Sequence, residues 1–208
     1  MKSKFFKKCG WVAIGLLLWP ACTKNDDSTI VPIGTEYYIE DILSVVDDAA
    51  FLSDFGSYAE GYIPPKIVGS YVMNPKERIG SNVSGWILNV VEPDVNLRFT
   101  EQHNGIMKMD MVESTETVTD RVYVMGNGND FTVYFIENKS YDLPGNGPTV
   151  HVDLKRGVVM AGTVSDAGLS NFRMATIIME ESPNGVSWPA GSYFIYKDGD
   201  ALAERKEW

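Results

Sequence analysis

After Pro65 the chain is built from short runs rich in β-branched and aromatic residues, separated by residues that form turns. In DVNLRFTE (94–101), the apolar residues Val95, Leu97 and Phe99 alternate with polar ones, so an extended strand would carry all three on one face. An Asn104-Gly105 pair then precedes a second alternating run, a combination typical of a tight hairpin turn. The pattern therefore restricts most of the chain to antiparallel strands joined by short connections.

About nine such strands are predicted, and Lys155-Arg156-Gly157 is interpreted as a turn between two of them. Strands joined by short turns favour neighbouring antiparallel pairs, and about nine of them in one domain favour a barrel or a sandwich. The sequence leaves a closed barrel and an open sandwich both open. The predicted strands are 66–73, 94–101, 106–113, 121–125, 131–137, 149–154, 157–164, 172–180 and 192–198, with a further candidate at 85–90.

A helical pattern precedes the strands. In EYYIEDILSVVDDAAFLSDF (36–55), apolar residues recur at Ile39, Leu43, Val46 and Ala50, a spacing that places them on one helical face. Acidic residues lie near the start of this segment, where the helix dipole favours them. We expect one N-terminal α-helix over about 37–50, ended by the glycines and prolines that follow.

The order of one helix, a Gly-x-aromatic first strand and a meander of hairpins resembles the lipocalin-like, or calycin-like, barrels. Gly69-Ser70-Tyr71 stands where the lipocalin family carries Gly-x-Trp. The resemblance covers roughly residues 66–200 and concerns the pattern. It implies a mainly β fold, an antiparallel meander β-barrel of about nine strands preceded by one N-terminal α-helix.

The first residues have the order of a secretory signal. Four lysines lie within the first eight residues and precede an apolar run over 10–18, which is too short to span a bilayer, since that takes about 20 apolar residues. The run ends near Ala21-Cys22, so a small residue precedes the predicted cleavage site.

This ending resembles the lipobox of bacterial lipoproteins, and the looser form with Trp19-Pro20 resembles that of Bacteroides and its relatives. Residues 24–27 resemble the acidic tag that exports their lipoproteins to the cell surface, and Asp27-Ser28-Thr29 resembles their O-glycosylation tripeptide. The resemblance implies lipidation of Cys22 and an exported protein anchored in the outer membrane, facing the cell surface. The predicted organisation is a signal peptide (1–21), a polar tether (22–35) and a single domain (36–208).

The cysteine count supports lipidation over the alternative, an ordinary signal peptide that happens to contain a cysteine. The chain has two cysteines, Cys9 and Cys22, and Cys9 leaves with the signal. An exported chain with one remaining cysteine forms no internal disulfide, so its thiol needs another role. A thioether-linked lipid supplies that role, because each buried acyl CH2 contributes about 0.8 kcal/mol to membrane binding.

The charge of the chain limits its partners. Its net charge is −10, and loss of the lysine-rich signal makes the mature chain more acidic. Nucleic acids and anionic lipid surfaces are polyanions, so we predict no nucleic-acid partner. A mature chain of this length can bury one core and is most simply one domain; its oligomeric state stays open.

No recognisable catalytic, metal or cofactor motif is present in the sequence. His103 lies in the predicted hairpin turn, and His151 shares a strand face with Asp153 but has no serine or cysteine nucleophile placed beside it. The glycine-containing segments 126–130 and 198–200 are interpreted as turns. We therefore predict no enzyme activity, no metal and no cofactor, although a pair of acidic residues that cleaves glycosides stays open.

Three methionines share one predicted strand face, and methionine adapts its shape to irregular apolar surroundings. They are either core filling or the lining of a soft apolar cavity. Small barrels that are not fully filled hold one small ligand, so we predict non-catalytic binding of a small apolar or amphipathic molecule. The candidate lining residues are Met107, Met109, Met111, Phe131 and Val133.

A second hypothesis is a structural or interaction module of a cell-surface complex, with a filled core and contacts to protein or glycan. Aromatic residues in loops could stack on sugar rings, or they could be packing residues. These aromatic candidates are Trp86, Trp188, Tyr193 and Tyr196.

Replacing Cys22 with alanine should abolish retention of the protein in the membrane fraction, because the lipid attachment atom is lost. Cys9→Ala is the matched control, since Cys9 is removed with the signal, and it should stay membrane-bound. Cell fractionation with immunodetection measures both. A Cys22→Ala protein that still fractionates with membranes would rule out the lipid anchor.

Overall fold

A computed structural model describes residues 35–114, 116–143, 150–181 and 188–207. The predicted signal peptide, Cys22 and all of the predicted tether except its last residue lie outside the described residues. Within the described part of the chain, no helix is long and apolar enough to cross a membrane.

The described residues form a mainly β, antiparallel fold, as predicted, with two helices and eleven strands. The helices are α1 (Thr35–Leu43) and α2 (Asp48–Phe55). The strands are β1 (Gly69–Met73), β2 (Lys76–Ser81), β3 (Val91–Glu92), β4 (Val95–His103), β5 (Ile106–Glu113), β6 (Glu116–Asn127), β7 (Asp130–Leu143), β8 (Val150–Val164), β9 (Gly168–Glu180), β10 (Tyr193–Asp198) and β11 (Leu202–Lys206).

The strand pairings return to their starting point and form a ring. The hydrogen-bonded order is β11-β1-β4-β5-β6-β7-β8-β9, and β11 also pairs with β9. In register, Ser70 of β1 faces Lys206, and Leu202 of β11 faces Ser170. A different part of β9 pairs with β10, where Tyr193 faces Ile177. Strand β10 pairs in turn with β2, and β2 pairs with β3. Eight strands thus share a closed circuit of pairings, which we call the ring.

The strands bury two separate apolar faces. Alternate residues of a strand point to opposite sides, and one set from all the ring strands meets in a single cluster, the inner cluster. It includes Val95, Leu97 and Phe99 of β4, all fully buried. Every strand of the ring contributes at least one buried side chain to this cluster.

The second set of apolar residues lies on the outer face and is covered by the two helices. Phe51 and Phe55 of α2 stack with ring centroids 5.1 Å apart, and Phe51 meets Tyr193 of β10 edge-on at 5.5 Å. Helix α1 approaches β8 at Gly157, where an added Cβ would lie 2.6 Å from the side chain of Ile42. Glycine is needed there because the helix packs directly on the backbone.

The single predicted helix is wrong, since the segment forms two. Asp47 begins α2 as its N-cap, and its carboxylate accepts hydrogen bonds from the N–H groups of Ala49 and Ala50, both at 3.1 Å. A capping carboxylate stabilises a new helix start, so the stripe that was predicted to continue to Ala50 is interrupted after Leu43.

The predicted turn at Lys155-Arg156-Gly157 is also wrong, because β8 runs unbroken from Val150 to Val164. Cross-strand ion pairs hold the supposed turn in the sheet: Lys155 Nζ lies 2.7 Å from Glu180, and Arg156 Nε lies 2.6 Å from Glu137. Gly157 allows the close approach of α1 and does not mark a reversal of the chain.

The strand count exceeds the prediction of about nine. Strands β2, β3 and β11 were missed because they are short and carry many charged residues, as in KERIGS and LAERK. The candidate strand at 85–90 is instead a loop. The Asn104-Gly105 turn is confirmed, with φ values of 49° and 73° that both require the left-handed region.

Phe51→Ala should destabilise the protein by about 3–4 kcal/mol, because it removes a fully buried ring from between α2 and the sheet. Leu52→Ala is the matched control: its side chain is 38% exposed, and its loss should cost under about 1 kcal/mol. Urea unfolding of both variants measures the difference. Equal stabilities would show that α2 is not packed on the outer face.

Candidate functional site

A cavity of about 380 Å³ lies at one end of the inner cluster. The strands that border it are β2, β3, β5, β6, β7, β8, β9 and β10. We call it the mouth site. Its lining residues are Lys76, Trp86, Glu92, Met111, Glu113, Glu116, Lys139, Leu154, Arg156, Val158, Met174, Thr176, Ile178, Trp188, Phe194 and Tyr196.

The floor of the mouth site is apolar and is set by strand alternation. Met174, Thr176 and Ile178 follow one another at every second position of β9, so they share its inner face. Leu154 and Val158 of β8 lie beside them and belong to the same buried cluster. An apolar part of a ligand would therefore rest on side chains that already belong to the core.

A buried lysine stands at the rim. Lys76 is the first residue of β2, and its side chain is only 3% exposed. Its ammonium lies 3.0 Å from Glu92, forms a second ion pair with Glu113, and lies 4.1 Å from the ring centre of Tyr196. A buried charge is tolerated only when it is well paired, and two carboxylates and an aromatic face provide that pairing.

Glu92 links this lysine to a second cation. It accepts hydrogen bonds from Lys76 and from Arg78, whose guanidinium carbon lies 4.3 Å above the ring of Trp86. Burial raises the pKa of Glu92, but the hydrogen bonds and charges of Lys76 and Arg78 outweigh it and leave the pKa below its ordinary value. Glu92 is thus held in its charged form.

Two further ion pairs continue the rim. Arg156 of β8 faces Glu137 of β7 across the sheet, with 2.6 Å between Nε and Oε1. Lys139 of β7 pairs with Glu116 of β6. The cations and carboxylates around the opening therefore balance each other, although the chain as a whole is strongly acidic.

Aromatic side chains form one wall. Phe194 lies 4.5 Å from Trp86 and 4.9 Å from Trp188 between ring centroids, and the two indoles meet edge-on at 6.2 Å. The indole Nε1 of Trp86 is buried and has no hydrogen-bond acceptor among the described residues. Such an N–H is normally satisfied, so the wall holds one buried donor whose acceptor is not among the described residues.

The loop that carries Trp86 is tied to the start of β10. The side chain of Asn82 donates to Gly191 O and accepts from Tyr193 N, both at 2.9 Å, and Ser81 Oγ donates to Tyr193 O at 2.7 Å. Side-chain bonds of this kind hold an irregular segment in one place. Trp86 is therefore positioned by the sheet although it belongs to no strand.

The five sequence-predicted lining residues all lie in the inner cluster with at most 5% exposure. Met111 also lines the mouth site, Met107 and Phe131 border two other cavities, and Met109 and Val133 are packed within the cluster. Their binding of a ligand stays a prediction. Of the four aromatic candidates, Trp86 and Trp188 form the wall, Tyr196 is a buried lining residue, and Tyr193 belongs to the outer face.

The charged rim was missed, although one signal for it was present in the sequence. In LKRGV (154–158), Arg156 stands between Leu154 and Val158 at alternate positions, and a charge on an inward-facing row marks the end of a core. Lys76 and Glu113 could not be found in this way, because their contact depends on which strands become neighbours.

The histidines and turns lie away from the mouth site. His103 is exposed at the end of β4, and His151 is exposed with its Nε2 3.3 Å from Asp153. Residues 199 and 200 form a turn as predicted, but Asp198 is fully buried, and burial and then Asp200 raise its pKa to about 6. Within the described ranges, no group of three or more His, Cys, Asp and Glu residues could hold a metal ion.

The chain matches no protein-family model, and no curated protein or solved structure is significantly similar to it.

Glu92→Gln should destabilise the protein by about 2–3 kcal/mol near neutral pH, because it removes one partner of a buried lysine. The folded pKa of Glu92 lies below its ordinary value of 4.5. Its stabilisation is therefore present above pH 4.5 and is lost as the pH falls through the folded pKa. The difference in unfolding free energy between the wild type and Glu92→Gln should therefore become smaller in acid. Urea unfolding at several pH values measures this difference.

Glu77→Gln is the matched control, because Glu77 forms a more exposed ion pair with Lys197. This change should cost under about 1 kcal/mol. If the two variants lost the same stability at neutral pH, the buried charge cluster would not be the stabilising feature of the rim.

Proposed function

We propose that the chain is a lipid-anchored, non-catalytic binding protein that holds a small amphipathic ligand at the mouth site. The observation that carries the proposal is the combination of an apolar floor, an aromatic wall and a charged rim around one cavity of about 380 Å³. Ligand sites are typically concave and apolar, with a few polar groups that fix orientation. The apolar part of the ligand would lie on Met174 and Ile178, and its polar end would reach the rim.

The proposed scaffold is a lipocalin-like barrel. Three pairs of short strands, β1 with β2, β3 with β4, and β10 with β11, are separated by only two or three residues each. When each pair is taken as one bent strand, eight strands remain in an antiparallel meander that pairs last with first. A barrel of eight strands has an interior that side chains fill or that holds one small ligand.

The proposed attachment is a lipid on Cys22, which places the protein at the outer membrane and on the cell surface. The support is the basic and apolar leader, the cysteine after Ala21 and the acidic segment that follows. Residues 22–34 separate this cysteine from α1 and would give the domain reach above the bilayer.

A second candidate function, an interaction module with a filled core, is favoured by a different observation. The loop between β2 and β3 exposes two large apolar side chains, Ile87 at 68% and Leu88 at 41%, and Val91 of β3 is 62% exposed. Exposed apolar residues that occur together indicate contact with a partner. In that case the same end of the ring would dock on another macromolecule.

Thr176→Trp should abolish small-molecule binding, because Thr176 lines the mouth site and an indole would occupy the cavity. The mature protein, purified gently from the cells that make it, should carry a reproducible extra mass in native mass spectrometry that is lost on denaturation. Thr117→Trp, an exposed position on β6, is the matched control and should retain that mass.

A bare protein mass for the wild type would contradict the binding proposal. An extra mass that remained in Thr176→Trp would also contradict the proposal that the ligand lies in the mouth site. In either case, loss of surface crosslinks in an Ile87→Asp, Leu88→Asp variant would favour the interaction module.

A further inference from the structure

A second cavity, of about 530 Å³, is bordered by the outer face and by the edge of the inner cluster, and it shares no lining residue with the mouth site. Its floor includes Ala161 and Gly162 of β8, and the segment 57–59 after α2 forms another wall. Arg173 of β9 and Lys197 of β10 also line it. We call this cavity the outer groove. Because the floor residues are small, the groove is not filled by side chains. The side chains of Arg173 and Lys197 place two cationic groups along it.

The strand register places these two cations side by side. Arg173 and Lys197 are direct partners in the antiparallel pair of β9 and β10. Like charges directly opposite each other destabilise a sheet. Lys197 has a partner in Glu77, with 3.3 Å between Nζ and Oε2, whereas Arg173 forms no ion pair with any residue that the structure describes.

The interactions of Arg173 do not neutralise it. Its Nη1 donates to the carbonyl oxygen of Phe55 at the end of α2, and its guanidinium lies 5.6 Å from the Phe55 ring centre. Burial lowers the pKa of Arg173, and no carboxylate among the described residues counteracts this shift. The half-buried guanidinium therefore lacks an anionic partner among the described residues.

One donor of Arg173 is left over. Its Nε–H is buried and has no acceptor in the described part of the chain. A buried donor without an acceptor costs about 1–3 kcal/mol, more when the group is charged. Native proteins rarely keep such a donor unless a molecule outside the chain satisfies it.

The carboxylates that border the outer groove are engaged elsewhere. Asp130 accepts from Thr163 Oγ1 at 2.6 Å. Asp198 accepts from the backbone N–H groups of Asn74 at 2.9 Å and Asp200 at 3.2 Å. Neither forms an ion pair with Arg173, so the position of its counterion is open to a ligand.

We propose that the outer groove binds the oxyanion group, a carboxylate or a phosphate, of a small organic ligand. The guanidinium of Arg173 supplies the unbalanced positive charge, and Lys197, which is paired with Glu77, lies directly beside it. A guanidinium offers several donors in a fixed plane that match carboxylate and phosphate oxygens. This site is separate from the mouth site and does not depend on it.

The test is an NMR titration of the arginine Nε–H signals of the folded protein. The probes are inorganic phosphate and, in a separate series, acetate, both at constant ionic strength. The Arg173 Nε–H signal, assigned by its loss in Arg173→Gln, should shift and saturate with at least one of the two probes. The signal of Arg156, in the mouth site, should not follow it.

Lys197→Gln keeps the bond from Arg173 to α2 and removes the second charge. It should weaken binding of the probe about tenfold, the effect of one lost charged contact. Arg121→Gln, an equal change of charge at an exposed position of β6, should leave the affinity within about twofold, since exposed distant charges are screened.

Failure of both probes to move the Arg173 signal would overturn the proposal, and so would equal affinities in the Lys197→Gln and Arg121→Gln variants. Arg173 would then serve only to cap α2. Neither result would bear on the mouth site, because its variant and its readout are different.

Discussion

The structure depends on the backbone pairing of the last two strands with the first two, β11 with β1 and β10 with β2, and β11 also pairs with β9. An open sheet of this length would expose two rows of unpaired backbone groups and one apolar face. The C-terminal strand closes the ring, with Tyr71 directly opposite Arg205, and the guanidinium of Arg205 donates to the Tyr71 hydroxyl at 3.3 Å. Closure turns one face of every ring strand inward, so the inner cluster can form from side chains far apart in sequence.

Closure also explains where a binding site can lie. The buried side chains of the ring strands pack against one another in the inner cluster, and the two cavities described above lie at the borders of that cluster. At the mouth site, inward positions carry the charged residues Lys76 and Arg156, and each is ion-paired with a carboxylate. These charges are paired within the chain, which keeps the rim ordered and balanced while the floor below stays apolar.

Sequence patterns predicted the parts of the fold that local chemistry decides. The alternation of Val95, Leu97 and Phe99 and the Asn104-Gly105 turn were confirmed because side-chain period and left-handed backbone are local properties. The unbroken β8 was missed, since Gly157 is set by the distant helix α1. The mouth site was found only in part, because the pairing of Lys76 with Glu113 depends on contacts across the ring.

Amide hydrogen exchange, followed by NMR on the folded protein, tests ring closure most directly. The account predicts that amides bonded between β1 and β11, in the register Ser70 to Lys206 and Val72 to Glu204, are protected as strongly as those between β4 and β5. Exchange of the β11 amides at the rate of a free chain end would contradict it. The circuit through β11 and β1 would then be open, and the inner cluster would lose its closure on that side.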